Sequence, residues 1–236
     1  MAQVTATTID ATGMETRAVN RAIKRAAAEG ASEIRVRNPA GRHSFAVALM
    51  REDLRVVLEG PTGWYTAGMN SGPTIVIEGN TGWAVGECMM DGRIEVHGHA
   101  GSGTAASIRG GLVYVNGDTG ARAGISMKGG MLVVGGSVGY MSGFMMQAGT
   151  IVVCGDAADG LGDSMYEGTI YVGGRIASRG ADAQIEQLTD DDRALLRTTL
   201  VEFGIDAGAR DFTKIRSGRR LWNFSTKEPE LWTSAL

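Results

Sequence analysis

The sequence predicts an all-β core: a single-stranded parallel β-helix of about seven 19-residue coils, with an N-terminal helical cap and a C-terminal helical tail. Three observations carry this reading. A glycine recurs every nineteen residues without a break, at Gly60, Gly79, Gly98, Gly117, Gly136, Gly155 and Gly174. Two further columns of small residues keep step with it. One is Gly63, Gly82, Gly101, Gly120, Gly139, Ala158 and Ala177; the other is Ala67, Gly86, Ala105, Gly124, Gly143, Gly162 and Ala181. Ahead of each leading glycine lies a short apolar strand whose alternate positions also align. Val56, Ile75, Ile94, Val113, Leu132, Ile151 and Ile170 form one row, and Leu58, Ile77, Val96, Val115, Val134, Val153 and Val172 the next.

A fixed period of this order marks stacked supersecondary units, each too small to bury its apolar face alone. The unit holds one strand and no helix-length apolar pattern, so coils should hydrogen-bond to one another at roughly 4.8 Å, giving a rod on the order of 30 Å long. Glycine is entropically costly in regular structure. Its recurrence at fixed columns therefore requires a geometric cause: positive φ, or an approach of the next coil too close for a Cβ.

The organisation expected is a cap over 1–32, the β-helix over 33–182, and a helix with an aromatic tail over 183–236. Val4 to Ile9 alternates as an edge strand would. Thr12-Gly-Met-Glu15 has capping-box spacing, followed by Val19, Ala22, Ile23 and Ala26 on one helical face and Gly30 as a stop. Ile34-Arg-Val36-Arg-Asn38-Pro-Ala-Gly41 mirrors Val56 to Gly63 at an offset of twenty-two, a degenerate first coil with Asn38 in the glycine position. Phe45, Val47 and Leu49 alternate and predict another strand. Past Gly174 the pattern decays. Thr189, backed by Asp190, Asp191 and Asp192, caps a helix whose apolar side is Leu195, Leu196, Thr199 and Leu200, ending at Gly204. Phe212, Leu221, Trp222, Phe224 and Trp232 then lie among Arg216, Arg219 and Arg220, an aromatic tail that either folds back on the rod or docks a partner.

A net charge of −3 favours neither nucleic acid nor an anionic membrane as a partner. The absence of an apolar run of membrane-spanning length and of a signal pattern gives a soluble, cytoplasmic protein as the expectation. Cys88 and Cys154 fall in different columns and show neither metal spacing nor a disulfide framework.

The candidate chemistry is sparse. Gly98-His-Ala-Gly-Ser-Gly103 imitates a phosphate loop, but the helix such a loop needs is replaced by another coil. His97 and His99 lack companions for a metal site and read as surface histidines. Met89, Ile108, Met127, Met146 and Met165 form one column, a core ladder. No nucleophile–base or paired-carboxylate constellation can be argued from spacing, so no catalytic, cofactor-binding or metal-ligating residue is assigned. The outward strand column reads Val57, Val76, Glu95, Tyr114, Val133, Val152 and Tyr171. A surface this apolar should be covered, either by the chain's own terminal segments or by another subunit. Val57, Val76, Tyr114, Val133, Val152 and Tyr171, with Trp222 and Trp232, are the candidate partner contacts.

The Gly-x-x-Gly-x-x-x-Gly spacing at Gly79/Gly82/Gly86, Gly117/Gly120/Gly124 and Gly136/Gly139/Gly143 resembles the glutamate synthase C-terminal (GXGXG) domain family. Asn38 to Ala48, Ala67-Gly-Met-Asn70, Gly124 to Lys128, Gly136 to Met141 and Val153-Cys-Gly-Asp156 look like the free-standing form of that domain found in N-methylglutamate synthases. The resemblance implies a right-handed β-helix that carries no catalytic residue. It would act as scaffold between a class II amidotransferase-like subunit and an FMN-binding glutamate synthase-like subunit. The FMN, and with it an iron–sulfur cluster, is expected in the partner. The implied reaction converts methylamine and glutamate to N-methylglutamate and ammonia. Two other readings stay open: a scaffold subunit of a formyltransferase/hydrolase or formylmethanofuran dehydrogenase-type complex, and a stand-alone carbohydrate-active β-helix, against which the uncharged outward column argues.

Overall fold

A computed structural model describes residues 5–219 of the chain. Its strands are β1 (Ala6–Asp10), β2 (Glu33–Arg37), β3 (Arg55–Glu59), β4 (Ser71–Ile77), β5 (Asp91–Val96), β6 (Leu112–Val115), β7 (Lys128–Val134), β8 (Ala148–Val153), β9 (Thr169–Val172), β10 (Ala183–Glu186) and β11 (Thr213–Ser217). Two helices, α1 (Thr16–Ala28) and α2 (Asp190–Val201), and a short 3₁₀ turn at Ala207–Ala209 complete it. β1 to β9 pair in sequence order, all parallel, and β11 and β10 close the far edge antiparallel. The molecule is a β-solenoid of about seven 19-residue turns with two added helices.

The register is the one the repeat dictates. Val56 pairs with Ile75, and Ile94, Val113, Leu132, Ile151 and Ile170 follow in line, all fully buried. Ile34 meets Val56 across the twenty-two-residue offset, and Asn38 takes φ +57° where later coils have glycine. A second, single-residue ladder joins Thr81, Ala100, Thr119, Val138, Ala157 and Ile176. The methionine column from Met89 to Met165 fills the interior between them.

The third side of each coil is not a strand. Phe45 to Leu49 was the expected one, yet Ser44, Ala46 and Ala48 all have φ above +50°. The same alternation recurs at Ala84, Gly86 and Cys88, at Gly103, Ala105 and Ser107, and at Arg122, Gly124 and Ser126. Glu87 N–H donates to Ala84 O and Met89 N–H to Gly86 O, so two four-residue turns overlap, each with positive φ at its third residue. That is type II geometry. Outside the turns, Ala84 N–H donates forward to Ser102 O and Gly86 N–H backward to Thr66 O. Apolar alternation and turn alternation share a period of two, which is why the sequence pattern imitates a strand here.

The glycine columns divide by cause. Among the leading glycines only Gly60 has left-handed φ, at +132°. The others are bare because coils touch there: a Cβ on Gly117 would lie 2.7 Å from His99 Nδ1, and one on Gly155 2.7 Å from the carbonyl carbon of Gly136. The third column is small for conformation, with φ between +58° and +73° from Ala67 to Gly162. Its missing Cβ atoms leave room for core side chains such as Ile170 Cδ1, 2.6 Å from that position on Gly143.

At the N-terminal end α1 replaces a coil as the crossover from β1 to β2, burying Val19, Ile23 and Ala26. The capping box expected at Thr12 does not form. A turn at Gly13 intervenes, Glu15 is the N-cap without a side-chain bond, and Thr12 Oγ1 instead accepts from Asn38 Nδ2. Asn38 also donates to Asp10, and that bond, with those Thr12 makes to the same carboxylate, holds the Asp10 carboxyl down to about 2. The far end departs further from expectation. Beside α2, β11 inserts between β9 and β10, with Ile215 opposite Ile170.

Because Gly117 meets a neighbouring coil while Gly204 (φ +69°) has open space, their substitutions should separate. Gly117→Val should lower stability by roughly 2 kcal/mol or more through overpacking, and Gly204→Ala by about 1 kcal/mol from backbone strain alone. Urea unfolding midpoints at constant slope check this; equal midpoints for the two would refute the close-approach assignment.

Candidate partner-binding surface

The outward apolar flank is the first place to look for a partner, and the chain covers most of it. Tyr114, Val133, Val152 and Tyr171 pack with Leu196, Leu200 and Phe212 in a second hydrophobic cluster, separate from the solenoid interior. Phe203 stacks on Tyr114 with ring centroids 3.8 Å apart. Val57 and Val76, nearer the N-terminal end, are 1% exposed. These six candidate contacts are therefore inaccessible. Of the two coverings open to the sequence, the chain's own C-terminal segment is the one present over Tyr114 to Tyr171. Phe212 likewise folds back, whereas Trp222 and Trp232 lie outside the described residues.

A buried polar clasp fastens this segment. Thr189 and Asp192 form a reciprocal capping box at the start of α2. The same carboxylate accepts from Tyr171 OH at 2.5 Å and from Lys214 Nζ at 2.9 Å, which ties α2, β9 and β11 together. Burial pushes Asp192 upward, but hydrogen bonds from Tyr171, Thr189 and Lys214 outweigh it and hold the carboxyl well below the usual range. Burial and then the Asp192 bond raise the Tyr171 hydroxyl. At the other end of α2, Glu202 pairs with Arg93 at 2.6 Å, and the Arg93 guanidinium lies over Phe203.

Beside the leading glycines runs a ladder that spacing alone did not reveal. Asn80 Oδ1 accepts from His99 N–H, His99 Nδ1 from Asp118 N–H, and Asp118 Oδ1 from Ser137 N–H. Ser137 Oγ accepts from Asp156 N–H, and Asp156 Oδ1 from Arg175 N–H. Each short polar side chain thus satisfies the corner amide of the next coil. His99 is a surface residue with this structural task. Column position was the available signal: five successive residues one step after the glycine can all accept a hydrogen bond.

The exposed aromatic surface lies three residues further on. His43 stacks on Trp64 at 4.7 Å, and Trp64 on Trp83 at 5.5 Å, with interplanar angles of 17° and 13°. Both indoles are more than half exposed, Trp64 by 53% and Trp83 by 58%. Each leans over the next coil's glycine, so a Cβ on Gly82 would meet Trp64 Cδ1 at 2.7 Å and one on Gly101 would meet Trp83 Cδ1 at 2.5 Å. The next two rungs are small, Ser102 and Ala121, before Tyr140 at the fifth. Sequence reasoning passed over this row because its period is that of the repeat but its content changes from coil to coil.

Among the described residues no three His, Cys, Asp or Glu side chains are grouped as a metal would need, and no helix is long and apolar enough to cross a membrane. Cys88 is exposed and Cys154 buried, both as free thiols.

The clasp gives a pH signature. A carboxyl depressed in the folded state stabilises above its unfolded pKa of about 4 and loses that contribution as pH falls further toward the folded value. Acid should therefore loosen α2 before the coils, and Asp192→Asn should abolish that early step while costing roughly 3 kcal/mol at neutral pH by leaving buried Lys214 only the longer pairing with Glu186 at 3.8 Å. Hydrogen exchange of α2 amides against those of β5 to β8, followed from about pH 6 to about pH 2, reads both. Set against protein-family models and against curated proteins, the chain has no match.

Proposed function

We propose that this chain is a non-catalytic structural subunit of a glutamate synthase-like complex, of the N-methylglutamate synthase type. In that reading it bridges an amidotransferase-like subunit and an FMN-binding synthase-like subunit. The observation that carries it is the use to which each coil puts its polar groups. Corner amides are taken by the Asn80-to-Arg175 ladder, and inward hydroxyls of Thr66, Thr104 and Ser142 return to the carbonyls of Gly63, Gly101 and Gly139. The face left outward in the first coils is aromatic. Such a surface suits protein contact better than the chemistry of a sugar or a redox substrate.

The glycine spacing supports the family part of the reading, and the reaction of the whole complex follows from that resemblance. The apolar strand flank lends it no support, because α2 and Phe212 occupy that flank. FMN belongs, in this proposal, to the synthase-like partner.

Purified alone, the chain should show no flavin absorbance at about 450 nm and no methylamine-dependent turnover, and it should co-purify with the two subunits when the three are co-expressed. A flavin spectrum or turnover from the isolated chain would contradict the proposal.

A further inference from the structure

The segment that covers the outward flank also encloses a cationic recess. A cavity of about 160 Å³ opens between α2 and residues 207–212. It is lined by Arg193 and Arg197 of α2 and by Arg210 at the end of the 3₁₀ turn, over a floor of Leu188, Leu196 and Phe212. Arg210 is set in place: its Nη1 donates to Cys154 O at 2.8 Å, and its Cδ lies 3.2 Å from where a Cβ on Gly173 would stand. The side chains of Arg193 and Arg197 make no hydrogen bond or ion pair among the described residues. The helix does not explain them. Like charges four positions apart repel along a helix face, and Arg193 stands near the positive end of α2, where a cation is disfavoured. Three carboxylates of the same segment are engaged elsewhere: Asp192 by Tyr171 and Lys214, Glu202 by Arg93, and Asp206 by Gly208 N–H. Three guanidiniums, one of them immobilised, thus border one recess with their charge unmatched.

We propose that this recess binds a short-chain aliphatic carboxylate, its oxygens between the three guanidiniums and its carbon body on Leu196 and Phe212. The proposal goes beyond the scaffold reading and does not depend on it. Arginine grips carboxylates through paired N–H donors. Size and floor select among anions. At about 30 Å³ for each water-sized group, the recess holds roughly five, the bulk of a carboxylate with a few carbons. Inorganic phosphate would fit by volume, but its four oxygens all need donors, and some would rest on leucine and phenylalanine. A carboxylate has oxygens at one end only. A longer body has a path outward, since a second cavity of about 610 Å³ shares Arg197 and Ala207 and is bordered by Val201 and Ile205. A nucleic acid is disfavoured, because one recess on a chain of net charge −3 offers no track for successive phosphates.

The test titrates the full chain with sodium butyrate, sodium succinate and inorganic phosphate at constant ionic strength, read by calorimetry. Butyrate or succinate should bind saturably at one site, at least about tenfold tighter than phosphate. Arg193→Gln and Arg197→Gln should each weaken that binding about tenfold, with unchanged thermal midpoints, while Arg25→Gln on α1 should bind as wild type. The anion would span α2 and the segment facing it, so binding should also slow hydrogen exchange of α2 amides. No saturable binding up to about 10 mM, binding that both α2 variants leave unchanged, an equal loss for Arg25→Gln, or binding without protection of α2 would each overturn the proposal. Phosphate binding as tightly as the carboxylates would overturn it too and assign the recess to a phosphate group. If no carboxylate binds and the co-expressed subunits lose affinity on Arg197→Gln, the arginines receive an acidic side chain of a partner. That outcome overturns the proposal and leaves the scaffold reading intact.

Discussion

Everything in this molecule depends on one coil lying on the next at hydrogen-bonding distance around the whole circuit, corners included. Strands reach that spacing readily, because their side chains point away from the neighbouring backbone. Corners do not, since a Cβ there points along the stacking axis. Gly174 shows the constraint: a Cβ would sit 2.6 Å from the carbonyl carbon of Gly155, inside any permitted contact. Once that atom is removed, the ladder amides come into reach of short acceptors such as Asn80 and Ser137, and the ring of bonds closes. Closure in turn holds conformations that would not survive in isolation. Met69, Cys88, Arg122 and Met145 take left-handed φ without being glycine, at about 1 kcal/mol or more each. Local strain on that scale persists where the surroundings over-determine the backbone.

A stack with this much regularity has two open ends, and they are closed by different means. At the start, a helix lies across the first coil and one strand is added in the same parallel sense. At the finish, the chain reverses: β11 runs antiparallel on β9, and β10 shields it in turn. The reversal places Lys214 beside Tyr171 and Asp192, so the clasp that pins α2 to the flank and the strand that closes the sheet are one device. The same folded-back segment explains why a row of valines and tyrosines on the outer strand face is not a wet surface. An apolar outward column in a solenoid is thus evidence of a cover, and which cover is a question about the terminal segments.

How much was legible follows from what the repeat can encode. Register, coil number and the methionine ladder were readable because each depends on position modulo nineteen, and the degenerate coil at Asn38 because its residues mirror Val56 to Gly63 despite an offset of twenty-two. The turn-built side was misread at Phe45 to Leu49, since a two-residue alternation of φ and a strand leave the same apolar trace. Thr12 had the right residues for a capping box, but Asn38 competes for its hydroxyl from twenty-six positions away, a contact no local window contains. β11 escaped for a related reason: Thr213 to Ser217 is five residues whose partners on β9 lie some forty positions earlier. Of the candidate surface, the flank residues were identified as needing cover, while the exposed indoles were not singled out.

The aromatic row follows from the corner rule as well. Trp64 and Trp83 can lie flat only because Gly82 and Gly101 present no Cβ beneath them, so the feature that lets coils stack also supplies a shelf for large rings. The shelf continues under Ser102 and Ala121, which carry no ring themselves. A repeat that needed aromatic packing for its own stability would fill consecutive rungs, since each added ring would gain the same stacking contact. Here rings occupy the first two rungs, are missing from the next two, and return at Tyr140 on the fifth. The rings in this column therefore change from coil to coil while the glycines beneath them do not, so the row is a feature laid on the stack and not a requirement of it.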